Sequence, residues 1–130
     1  MPYAGRGEAG STNVPVTLGE DVTQGQHIAI GSDGLGYLAC ADAAAPRVPS
    51  FGIAEIDRAD GETITVIHQG TVDVGSGAGL PPGDLIYLSN TPGEISATAG
   101  DVSQIVGMCN SEREYILCLE QIAQQEPPAY

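Results

Sequence analysis

Gly25-Gln26-His27-Ile28-Ala29-Ile30, then Gly36-Tyr37-Leu38, Phe51-Gly52-Ile53 and Ile64-Thr65-Val66, form a series that the chain repeats. It returns as Gly83-Asp84-Leu85-Ile86-Tyr87-Leu88, Gly93-Glu94-Ile95, Val106-Gly107-Met108 and Tyr115-Ile116-Leu117. From Gly25 to Gly83, Gly36 to Gly93, Gly52 to Gly107 and Ile64 to Tyr115 the offsets are 58, 57, 55 and 51. They shrink along the chain, as they would if strands were kept while the connecting loops shortened. Each block is a short apolar run opened or interrupted by glycine, which is the pattern of strands between tight turns. The repeat predicts an all-β fold, a small β-barrel or sandwich of roughly eight to ten short strands with an internal pseudo-repeat.

Outward from these blocks, residues 1–13 are small, polar and charged without periodicity, and are expected to form a flexible N-terminal arm. Residues 14–120 read as a single β domain whose halves are about 14–74 and 75–120, with 121–130 as a C-terminal tail. The run from Glu62 to Val74 alternates, placing Ile64, Val66, His68, Val72 and Val74 on one face with a bend at Gly70. The same alternation puts Ile28 and Ile30 on the inner face of their strand and turns His27 towards solvent. The stretch from Gly75 to Gly83, glycine-rich with Pro81-Pro82, is expected to separate the repeats.

Composition narrows the function. The formal charge is −13, from 17 acids against four arginines (Arg6, Arg47, Arg58, Arg113), with no lysine. Nucleic acid is not an expected partner, because phosphate binding needs clustered cations. An anionic membrane surface is excluded on the same ground. Without lysine there is no Schiff base, no lipoyl or biotinyl carriage and no P-loop. No apolar run is long enough to cross a membrane, and Met1-Pro2-Tyr3-Ala4-Gly5-Arg6 lacks the apolar core of a secretory signal. Cys40, Cys109 and Cys118 are odd in number and lie in apolar runs, so reduced, buried thiols are expected, with a Cys109–Cys118 pair as the alternative.

Motifs that carry chemistry fail on context. Gly5-Arg6-Gly7-Glu8-Ala9-Gly10 has the dinucleotide spacing but no strand before it and no helix after it. His68 is a candidate general base with no acid on its own face, and is more simply a core or interface residue. Asp57, Asp60 and Glu62 cluster at a predicted hairpin and offer calcium-type ligands, although acidic turns are usually only solvated. The histidines and cysteines have no zinc spacing, and no serine sits in a nucleophile-elbow context. No enzyme, cofactor or metal is expected. Tyr3, Arg6 and Tyr130, the last beside Pro127-Pro128, are candidate partner contacts, since residues of these types anchor a terminal segment to a neighbour.

At residues 15–120 the chain resembles the small β-barrel decoration (auxiliary, or cement) proteins of tailed-bacteriophage heads. Gly83-Asp84-Leu85-Ile86-Tyr87-Leu88, Gly93-Glu94-Ile95, Ile105-Val106-Gly107-Met108 and Tyr115-Ile116-Leu117-Cys118-Leu119 carry the resemblance. It implies a structural virion protein, made in the host cytoplasm, on the outer surface of the capsid. There a homotrimer would clamp adjacent subunits of the major capsid protein, without cofactor or catalytic residues. The alternative is a receptor- or glycan-binding β-module on a virion surface, with Tyr37 or Tyr87 in a shallow groove.

Overall fold

The computed structural model describes residues 13–118, and among them every regular element is a β-strand. No helix among these residues is long and apolar enough to cross a membrane. The strands are β1 (Asn13–Thr17), β2 (His27–Ile30), β3 (Gly36–Leu38), β4 (Gly52–Ala54) and β5 (Thr63–Ile67). After them come β6 (Gln69–Asp73), β7 (Leu85–Leu88), β8 (Ile95–Ser96), β9 (Ile105–Cys109) and β10 (Glu114–Cys118).

They form two antiparallel five-stranded sheets, ordered β1-β5-β4-β2-β3 and β6-β10-β9-β7-β8. The second order is the first with every strand advanced by five. The repeated sequence blocks are therefore a repeated topology. The expected all-β fold is found in its sandwich-like form, and the two sheets are not closed into one barrel.

Strand pairing refines the equivalences. Ile28 pairs with Gly52 as Ile86 pairs with Gly107. Ala54 faces Val66 while Cys109 faces Tyr115, so Tyr115 corresponds to Val66 rather than to Ile64. Ile30 faces Gly36 and Leu88 faces Ile95, so Ile95 rather than Gly93 corresponds to Gly36. Each correction is two residues, a slip that leaves every side chain on the same face.

The glycines shared by the halves have a common cause. A Cβ on Gly52 would lie 2.6 Å from the Ile67 carbonyl oxygen, and one on Gly107 would lie 2.0 Å from that of Ile116. At both places the neighbouring strand comes too close for any side chain.

Two expectations fail at the centre of the chain. β5 passes into β6 across the single residue His68, and β6 belongs to the second sheet. The sheets therefore change at His68, not at 74/75, and the Gly75–Gly83 stretch lies inside the second half. Nor do the alternating residues share a face. Ile64 and Val66 are buried inside the first sheet, while Val72 packs with Ile67 against a cluster shared by both halves. Gly70, at φ 133°, sits in the bend.

The shared cluster holds Ala29, Ala39, Ala41 and Ile53 from the first half with Ile86, Leu88, Val106, Cys109, Tyr115 and Leu117 from the second. A separate cluster, Val16, Leu18, Val22, Ile28, Ala54, Ile64 and Val66, belongs to the first half alone. It exists because the first sheet curls. Leu18 forms a parallel bridge to Gly36, and the Gly19 N–H donates to the Gly36 carbonyl at 2.8 Å. Gly36 permits this approach: a Cβ there would meet Val16 at 2.8 Å and Ile28 at 3.1 Å.

Candidate functional site

The most concentrated polar chemistry is buried between the halves. His27 is fully buried, because the curled first sheet has apolar packing on both faces; the solvent-facing position expected from alternation is wrong. Its Nδ1 lies 2.6 Å from Ser50 Oγ and its Nε2 lies 2.9 Å from the Tyr115 hydroxyl. Ser50 Oγ donates to the Gly52 carbonyl at 3.4 Å, so it accepts from Nδ1–H, and Nε2 accepts the Tyr115 proton. This tautomer satisfies every donor in the chain of bonds.

Around it, the Ser50 N–H donates to Gln104 Oε1 at 2.7 Å. Desolvation lowers the His27 pKa to about 3 and raises that of Tyr115, where the charge of Cys109 adds a smaller push in the same direction. A neutral, dry and fully satisfied histidine joins two halves. No carboxylate or metal-type cluster stands with it among the described residues.

A surface depression of about 420 Å³ is lined by Ile30, Asp33, Tyr37, Pro46, Arg47 and Val48 among others. Its groups are already engaged with one another. The Tyr37 hydroxyl donates to Asp33 Oδ2 at 2.6 Å, and the Arg47 guanidinium sits 4.7 Å from the Tyr37 ring centroid. Arg47 also pairs with Glu20 at 3.0 Å. The bond from Tyr37, helped by the Leu35 N–H, lowers the Asp33 pKa. Gly19 backs the ring so closely that a Cβ there would lie 2.5 Å from it.

The outer face of the second sheet is different in kind. Leu85 registers against Met108, Met108 against Ile116, and Ile116 against Thr71, giving one cross-strand row. Met108 and Ile116 are 45% and 44% exposed. An uncharged row of large apolar side chains is unusual on a chain of charge −13, and exposed apolar patches mark contact surfaces. Sequence alone did not single out Met108 and Ile116. Their alternation against the buried Cys109 and Tyr115 was legible, but that they lie side by side requires the register.

The described residues that sequence singled out do not gather into one site. Tyr3, Arg6 and Tyr130 lie outside the described residues. His68 is half-buried at the junction of the sheets, with its Nδ1 buried and unpartnered. Two acids of the β4–β5 hairpin cap backbone, Asp57 accepting from the Gln24 N–H and Glu62 from that of Ala59, while the Asp60 N–H donates to the Asp21 carboxylate. Cys40 and Cys109 are free, buried thiols, and Cys109 stands opposite Tyr115 rather than Cys118. Burial, with Asp84 as a lesser cause, raises the Cys109 pKa.

Known proteins supply what the geometry withholds. No curated protein matches the chain. A family model described as phage cement protein matches residues 7–112, a span covering β1 to β9. That match spans most of the chain, agrees with the sequence resemblance, and implies a capsid-stabilising structural role; the chain belongs to the phage cement protein family.

Proposed function

We propose that the protein decorates the outer surface of a bacteriophage capsid as a homotrimer and stabilises it by clamping adjacent subunits of the major capsid protein. Family membership supplies the capsid-stabilising role. The observation that carries the finer reading is the exposed row Leu85–Met108–Ile116, which offers protein-binding area free of the chain's general negative charge. A symmetric trimer would present it three times and multiply a modest contact by avidity. Residues 1–13 and 121–130, with Tyr3, Arg6 and Tyr130, serve in this reading as anchoring extensions of one β domain at 14–120. It assigns no catalysis.

The test is titration of purified protein onto undecorated heads. Saturable binding that raises the temperature of head disruption is expected. Absence of both would remove the proposal. The glycan-binding alternative gains no support from Tyr37, whose ring and hydroxyl are occupied by Arg47 and Asp33.

A further inference from the structure

The halves differ at one seam. In the first sheet the end of β1 is bridged to β3 through Leu18 and Gly36. Among the described residues, the equivalent strands of the second sheet, β6 and β8, are its two edges and carry no such bridge. Sequence explains the difference: where the first half has Leu18 to plug the interior, the second has Gly75-Ser76-Gly77, left-handed at Gly75 and Gly77 (φ 97° and 86°). Where the first half has Gly36, the second has Ile95, whose side chain packs against the shared cluster. The gap is a cavity of about 280 Å³ between Val72–Val74 and Gly93–Ile95, floored by Thr23–Gln26. β6 is almost wholly exposed along it and pairs on that side with no strand among the described residues, and an open edge is a template for another strand.

We propose that residues 1–12 of a neighbouring copy enter this seam as an added strand and close the second sheet as Leu18 and Gly36 close the first. The inference rests on the trimer proposed above. Twelve extended residues reach about 40 Å, enough to leave one body and cross to the next. Ala4, Gly5, Gly7, Ala9 and Gly10 are small enough for a narrow gap.

Charge points the same way. Glu94 lines the seam, as does Asp73, itself paired with Arg113, and Arg6 is the one basic side chain of residues 1–12, two residues before Glu8. The other arginines are occupied: Arg47 with Glu20, Arg113 with Asp73, and Arg58 on the Asp57 carbonyl. Copies of charge −13 repel one another, and exchanging Arg6 places a cation where that repulsion is met.

The experiment uses the full chain carrying Gly7→Cys with Val74→Cys, treated with a short bismaleimide. Expected are two- and three-chain products on denaturing gels, absent from either single variant. A link confined to one chain, or none, overturns the inference. If the protein is then still trimeric and still binds heads, only the seam assignment falls. A monomer that leaves heads undecorated removes the functional reading as well. As a second arm, Arg6→Glu should reduce the trimer, and adding Glu94→Arg should restore it; failure of the second change to restore it counts against the Arg6–Glu94 contact.

Discussion

The first half of the molecule encloses an interior of its own, whereas the second buries one face against the first and leaves the other to solvent. Both have the same strand order, and both keep a glycine where adjacent strands crowd, Gly52 and Gly107. What separates them is a handful of side chains at equivalent places: Leu18 against Ser76 and Gly36 against Ile95. A duplicated topology can thus diverge into a self-contained support and an outward-facing surface without any change in connectivity. The row Leu85–Met108–Ile116 lies on the half that was left open.

The contrast can be broken most forcefully at Leu18, which is 1% exposed. Leu18→Ala should cost about 2–5 kcal/mol, by lost burial and a cavity. Ser76→Ala at the matching position should change stability by less than about 0.5 kcal/mol. Urea unfolding of the two variants measures both, and equal costs would erase the distinction between the halves. Next is Gly36→Val, expected to cost about 1–3 kcal/mol by overpacking against Val16 and Ile28. Its effect should appear as faster hydrogen exchange at Gly19, whose N–H closes the curl.

The tie between the halves sharpens the comparison through pH. Folded His27 has a pKa of about 3 against 6.5 when unfolded. Between these values the unfolded chain binds a proton that the folded chain does not. Stability is therefore full above the unfolded value and falls with decreasing pH by about 1.4 kcal/mol per unit through the window. His27→Gln should remove that part of the slope, read from urea midpoints across the window for both proteins. An unchanged slope would mean that His27 is not held neutral.

Small in stability is the double change Met108→Ser with Ile116→Ser, expected to cost about 1 kcal/mol because nearly half of each side chain is already exposed. Its binding to undecorated heads should nevertheless weaken clearly. Retained affinity would move the contact away from the second sheet.

Much of this was legible in the residues. Glycine-led apolar blocks gave the strands and their duplication, since such runs have few alternatives to short strands. Other features were hidden for definite reasons. A two-residue slip, as between Ile64 and Val66 as the counterpart of Tyr115, preserves the face of every side chain and is invisible to periodicity. His27 was misplaced because alternation presumes one wet face, and β2 is buried on both faces from His27 to Ala29, with only Ile30 at its end exposed. The boundary at His68 was missed because β5 and β6 form one alternating run. Of the candidate contact surface, alternation could show only that Met108 and Ile116 face away from the core. Their adjacency is a property of pairing, which no local pattern encodes.

One further consequence follows from the corner at His68. Asn13 registers against Ile67 and Cys118 against Gln69, so the two ends of the described body meet on either side of a single residue. Joining them with a short linker and opening the chain elsewhere, for instance in the exposed loop at 43–47, should yield a circularly permuted protein with both sheets intact. Peptides joined directly at Asn13 or at Cys118 would leave from one spot, which makes this corner a place to attach displayed peptides.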